Sequence, residues 1–200
     1  MSGNFFVFEG IDGSGKTTLS KQITDRLKDL HGLKVHWHRE PTDGTFGKQI
    51  RQFLAGKIQL KVQEQMDLFI KDREESVRSV ILPILERNEI LIQDRYYYST
   101  AAYQASEALS ANEIIQINEK HGFPKPKLVI FLDLSPEDAK ERRKSRGHES
   151  EYFDEDRKQN MIYKNYMDVL PANTIFIDGS LSLEELTQIV ETTILESIRA

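Results

Sequence analysis

Apolar residues fall along this chain in two rhythms. Short apolar stretches at Phe5–Phe8, Leu33–Trp37, Ile90–Ile92, Leu128–Leu132 and Thr174–Ile177 are bounded by turn-forming or charged residues. Stretches of that length predict strands. Between them apolar positions recur at helical spacing, as in Val62, Met66, Phe69, Ile70, Val77, Ile81, Ile84 and Leu85, which turn one stripe inward. Strands that are apolar at nearly every position must be covered on both faces. The alternation therefore predicts an α/β fold with a central parallel five-stranded sheet and helices on both faces. Ligands of such sheets bind beyond the carboxyl ends of the strands, which directs attention to the segment after each one. No Pro/Gly/Ser-rich linker divides the chain, so residues 1–200 are expected to form one domain. The stretch Arg142–Arg157, charged and poor in apolar residues, interrupts the pattern and is expected to be a mobile surface segment.

Charge and composition narrow the classes of partner. A formal net charge of −5 disfavours a nucleic-acid backbone, whose binding is dominated by clustered cations. Cysteine is absent, so disulfides and thiolate metal sites play no part. Nowhere do eighteen apolar residues run together, and the first residues lack a basic, then apolar leader. A cytoplasmic protein without a membrane partner is expected. The five histidines, His31, His36, His38, His121 and His148, share no metal-ligand spacing with carboxylates and read as ordinary surface or loop residues.

The chemistry begins directly after the first strand. Gly10-Ile11-Asp12-Gly13-Ser14-Gly15-Lys16-Thr17 fits G-x-x-x-x-G-K-[ST] between a strand and a helix. Glycines let the backbone curl around an anion, and the N–H groups at the start of the next helix turn positive partial charge toward it. Lys16 adds a full charge suited to β- and γ-phosphates, and the Thr17 hydroxyl is a ligand for Mg²⁺. Such a loop is shared by kinases, GTPase switches and motor ATPases, so it identifies the phosphate cradle and not the reaction.

Three further clusters lie where a parallel-sheet enzyme would use them. Arg39-Glu40-Pro41-Thr42-Asp43-Gly44-Thr45 follows the second strand, and its Pro and Gly predict a loop that aims Arg39 at the cleft. Asp94-Arg95-Tyr96-Tyr97-Tyr98-Ser99-Thr100 follows the third, where Asp94 can hold the water shell of Mg²⁺ and Arg95 can fork onto an acceptor phosphate. Each arginine alone could equally form a surface ion pair. Phe69 and Arg73 lie four apart on one helical face and can stack a base and read its carbonyl edge. The ordinary alternative places Phe69 in the core stripe and pairs Arg73 with Asp72 or Glu74.

With these residues in view, the chain from Phe5 to Gly179 resembles the thymidylate kinases. Phe8 to Thr18 is similar to that family's P-loop, and Arg39-Glu40-Pro41 and Asp94-Arg95-Tyr96 resemble its phosphate-acceptor motifs. The resemblance implies a P-loop NTPase fold with a mobile lid over about residues 142–153, ATP and Mg²⁺ as cofactors, dTMP as acceptor and a homodimer. It implies that Asp12 meets the deoxyribose 3′-hydroxyl, that Phe69 stacks on thymine and that Arg73 bonds O4. Ser99, Thr100 and Gln104 would line the base site, and Tyr103 would crowd the sugar 2′ position. Thr18 would join the phosphate loop, and adenine would lie near Arg143 and Asp178-Gly179-Ser180. Two departures stand out: Thr42-Asp43-Gly44 replaces a common glycine pair, and Tyr152 is the nearest match to a lid arginine. Arg142, Arg143 and Arg146 are the candidates to supply the lid charge, with Arg146 first because Gly147 beside it frees the backbone. The rival readings are a deoxynucleoside kinase, a kinase of another monophosphate, and a P-loop ATPase switch or assembly protein.

Overall fold

The computed structural model describes residues 4–145 and 156–199. Its centre is a five-stranded, all-parallel sheet in the order β2-β3-β1-β4-β5, built from β1 (Phe5–Glu9), β2 (Val35–Arg39), β3 (Ile90–Asp94), β4 (Leu128–Asp133) and β5 (Thr174–Asp178). Successive side chains of β1 point to opposite faces and all are buried. Phe5 and Val7 pack with Tyr96, Tyr97 and Phe131 on one side, and Phe6 and Phe8 pack with Leu19, Ile23 and Leu27 on the other. The second face is closed by α1 (Lys16–Asp29) and α9 (Leu183–Arg199), whose Val190 and Ile194 are fully buried. The first face carries α3 (Val62–Ser76), α4 (Leu82–Glu86), α5 (Tyr97–Gln104), α6 (Ala111–Lys120) and α8 (Asp156–Val169), while α2 (Thr45–Leu54) packs on α3 and α7 (Pro136–Ser145) on α8.

All five expected strands are present, with one shifted start. Leu33 does not open β2, because its N–H donates to Leu27 at 3.1 Å and Gly32, at φ +62°, donates to Lys28, so residues 32 and 33 close α1. The long helical stretch Val62–Glu86 is not one regular helix either. Between α3 and α4 lies a widened π-type turn, Val77–Ile81, and Pro83 follows after Leu82. Proline lacks an N–H and crowds the carbonyl four residues back, which a widened turn accommodates. Arg142 and Arg143, the first basic residues of the lid expected over residues 142–153, stand in the last turn of α7. Arg146, Gly147 and Tyr152 lie outside the described residues.

Chain order places the candidate residues together. From β1 the chain passes to β2 at one edge, returns through β3, then crosses to β4 on the far side of β1. The loops after β1, β2 and β3 therefore open onto one crevice at the carboxyl end of the sheet.

Candidate active site

The loop after β1 turns back on itself to start α1. Gly15, at φ +94°, is the N-cap, and Gly13, at φ +96°, lies against α7, where an added Cβ would stand 2.6 Å from the Ala139 carbonyl oxygen. Lys16 is buried and its Nζ donates to the Ile11 carbonyl at 3.2 Å, with Asp12 Oδ1 at 3.7 Å. Burial, with the nearby Arg95 charge, brings the Lys16 amine down to about 8. Ser14 Oγ is buried without a hydrogen-bond partner among the described residues. Thr18 is exposed on the first turn of α1. Arg143 reaches across from α7 and donates from Nη1 to the Asp12 carbonyl at 2.6 Å.

At the end of β3, Asp94 Oδ2 accepts from the Thr17 hydroxyl at 2.5 Å, while Asp94 Oδ1 is buried with no partner among the described residues. A hydroxyl beside a carboxylate oxygen that nothing else satisfies is a donor set suited to a hard divalent cation, so the residues present fit Mg²⁺. Arg95 follows in the left-handed region at φ +66°, its own N–H bonded to Phe8 O at 3.0 Å and its carbonyl held by Gln93 Nε2 at 2.8 Å. That backbone setting turns the side chain inward. Its Nη2 bonds Asp12 and its Nη1 donates to Ser99 Oγ at 2.9 Å, with the Tyr103 ring 4.9 Å from the guanidinium carbon. Burial works against an ionised Asp12, but Arg95 and Lys16 outweigh it and hold the carboxyl at about 2.

Beside this ion pair lies a cleft lined by residues of both groups. Asp12, Arg95, Ser99, Thr100, Tyr103 and Gln104 line it, together with Phe69, Arg73, Glu40, Pro41 and Leu54. Arg73 is 1 % exposed and pairs neither with Asp72 nor with Glu74; it reaches Glu40 at 2.8 Å, Asn118 at 2.6 Å and Thr100 at 3.1 Å. Phe69 belongs to both readings, being buried and on the cleft wall.

Arg39 is the exception. It ends β2, its side chain is 45 % exposed, and its Nη2 bonds Asp43 at 3.4 Å, so it faces the loop tip and not the cleft. Asp43 also accepts from Arg51 at 3.0 Å, and that second cation fixes the carboxylate which draws Arg39 outward. The loop shape left open by Thr42-Asp43-Gly44 is set by α3. Asp72 takes the Thr42 N–H at 2.9 Å and the Thr42 hydroxyl at 2.6 Å, so two adjacent α3 residues clasp Glu40 and Thr42. Gly47 makes room for this turn, since a Cβ there would lie 1.9 Å from Thr42 O.

Sequence reasoning missed three supporting groups. Glu9, the last residue of β1, is buried and accepts from Tyr96 N at 2.8 Å, Ser99 N at 3.2 Å, Ser99 Oγ at 2.6 Å and Tyr166 Oη at 3.0 Å. It supplies from β1 the anion that caps α5, although burial raises its carboxyl above the usual range. An acid closing the apolar run Phe5–Phe8 was a readable signal. Tyr166 and Asn118 had none, for they reach their partners across 157 and 45 residues.

Known proteins point the same way as this geometry. The family model described as thymidylate kinase matches residues 8–190. A thymidylate kinase of Leptospira borgpetersenii serovar Hardjo-bovis is 45 % identical over 184 residues, covering 92 % of this chain and 89 % of its own. That of Leptospira interrogans serovar copenhageni is 43 % identical over 184 residues, covering 92 % and 90 %. A probable thymidylate kinase of Archaeoglobus fulgidus is 41 % identical over 182 residues, covering 90 % and 89 %. Phosphate cradle, ion pair and cleft thus occur on a backbone whose relatives share two residues in five over nearly its whole length, and the chain belongs to the thymidylate kinase family.

Proposed function

We infer that this chain is an ATP-dependent kinase of dTMP, transferring the γ-phosphoryl group of ATP to a phosphate oxygen of dTMP and leaving ADP and dTDP. The observation that carries the reading is Asp12, one carboxylate in contact with Lys16 of the donor loop and with Arg95 on the acceptor side. Two anion grips thus converge on a single group. In the transfer a dTMP oxygen bonds to the γ-phosphorus as that atom's bond to the β–γ bridging oxygen breaks, and positioning and charge carry most of the catalysis. Lys16 turns from the Ile11 carbonyl to the β- and γ-phosphates, in the nest formed by Gly10, Ile11, Gly13, Ser14, Gly15 and Thr18. Arg95 exchanges Asp12 for the dTMP phosphate, which leaves Asp12 free for the sugar 3′-hydroxyl. Arg39 joins it by leaving Asp43. Phe69 stacks the base, Arg73 donates to O4, Ser99, Thr100 and Gln104 line the base site, and Tyr103 crowds the 2′ position. Thr17 and Asp94 would hold Mg²⁺, which when bound offsets charge on the phosphates. Arg143 stands over the loop on the adenine side with Asp178-Gly179-Ser180, and Arg146 is the proposed lid cation.

The test is turnover with dTMP, dUMP, dGMP, dCMP and thymidine, with ATP alone as control. dTMP is expected to be phosphorylated fastest. Activity on thymidine without activity on dTMP, or ATP hydrolysis indifferent to every acceptor, would defeat the reading.

We also propose a cytoplasmic homodimer, acting in the compartment that holds both nucleotides. Support for the dimer is the apolar surface kept along Val62–Glu86, where Leu82 is 40 % exposed. A light-scattering mass near twice the chain mass of 23.2 kDa is expected, and a mass of one chain at micromolar concentration would dismiss it. Among the described residues no helix is long and apolar enough to cross a membrane.

A further inference from the structure

What Arg73 can recognise depends on which of its five N–H groups are already committed, since a guanidinium has no acceptor. Nε donates to Glu40, Nη1 to Asn118 Oδ1 and Nη2 to Thr100 Oγ1, and Nη2 also lies 2.8 Å from Glu40 Oε2, which leaves the second N–H of Nη1 as the donor outside these contacts. The rings of Tyr96 and Phe123 lie 5.2 and 5.9 Å from the guanidinium carbon, and Arg73 lines the cleft. Glu40 and Thr100 are themselves on the cleft wall.

Asn118 acts from behind that wall. It sits on α6, is fully buried, and touches Arg73 at 2.6 Å, the shortest of the three bonds. Its amide orientation is settled by its other end, because Nδ2 donates to Ile114 O at 2.8 Å and so Oδ1 must face the guanidinium. Without that oxygen Glu40 and Thr100 still hold Nε and Nη2, but the Nη1 end of the guanidinium loses the bond that fixes it.

The geometry points to Asn118 as a positioning residue for base selection. By taking an Nη1 hydrogen it holds Arg73 so that a donor-only edge meets the base. A carbonyl at ring C4 can accept from that edge, whereas an amino group there presents hydrogens to hydrogens and leaves buried donors unpaired. The inference rests on the reading of Arg73 as the group that meets the base, and it extends that reading to a residue 45 positions away on another helix.

The experiment measures, by titration calorimetry, dissociation constants for ATP, dTMP and 5-methyl-dCMP, whose base differs from thymine at C4 and N3. The proteins are the parent, Asn118→Leu, Asn118→Asp and Arg73→Ala. Asn118→Leu is expected to weaken dTMP about 10-fold and 5-methyl-dCMP by less than about 2-fold, as fits loss of one hydrogen bond to a charged group. ATP affinity should stay within about 2-fold, since the donor loop is untouched. Asn118→Asp retains the accepting oxygen and should keep most of the dTMP preference. If Asn118→Leu is unfolded, Asn118→Ala carries the same comparison. A preference unchanged in the leucine variant but erased by Arg73→Ala would overturn the role of Asn118 alone. Equal loss of all three ligands would make Asn118 merely structural and overturn it too. A preference that survives Arg73→Ala would defeat the reading of Arg73, and this inference with it.

Discussion

Replacing Lys16 by Met should lower kcat about 10³-fold while leaving the protein at least as heat-stable as the parent. The loss follows from removing the full positive charge that the proposed mechanism brings to the transferring group. The retained stability follows from where that charge sits. Lys16 is buried and holds its proton only up to about pH 8, against 10.5 for the free side chain. A folded value below the unfolded one means that near pH 7 the folded state carries an unfavourable charge, here on the order of 3 kcal/mol. Methionine is of similar length and relieves that cost. The same proton sets a pH limb. Bound ATP favours the charged amine, so parental ATP affinity should fall as pH rises through about 8, and the Met variant should show no such limb. Thermal melts with calorimetric titration of ATP between pH 7 and 9 check both halves; an unstable variant, or a parent whose ATP affinity is flat across that range, would contradict the argument.

Arg95→Lys should reduce kcat/KM for dTMP about 10²- to 10³-fold while the KM for ATP stays within about threefold, because an ammonium cannot fork and its contacts are worth several kcal/mol. Arg95 spans Asp12, Ser99 and the face of Tyr103 at once, and its backbone is held at positive φ by Gln93 and Phe8 for that purpose. Lysine can keep the charge near Asp12 but cannot keep all three contacts. Steady-state kinetics with each substrate varied in turn is the measurement. A parallel rise in both KM values would assign Arg95 to holding the fold.

The parts legible in the sequence were those whose physics is local. Every residue of the phosphate cradle lies within Gly10–Thr18, and the doubly covered strands announced themselves as unbroken apolar runs. What stayed hidden depends on contacts that no window of sequence contains. Arg39 looked inward until Asp43, steadied by Arg51, was seen to hold it at the loop tip. Arg73 and its neighbour Asp72 gave no sign that their partners were Glu40 and Thr42, thirty and more positions earlier. Leu33 read as strand because it is apolar, yet its N–H was already committed to finishing α1.

The clasp that α3 makes on the turn after β2 has an implication for retooling the enzyme. Asp72 and Arg73 are consecutive, yet one steadies the segment leading from Arg39 and the other lines the cleft proposed to hold the base. A substitution that tilts α3 to admit a bulkier base analogue would drag Thr42 with it, so gains in acceptor breadth should arrive with losses in phosphate alignment. Variants selected for unnatural monophosphates are therefore expected to carry compensating changes in residues 42–47, where Thr42 and Gly47 leave the turn little slack.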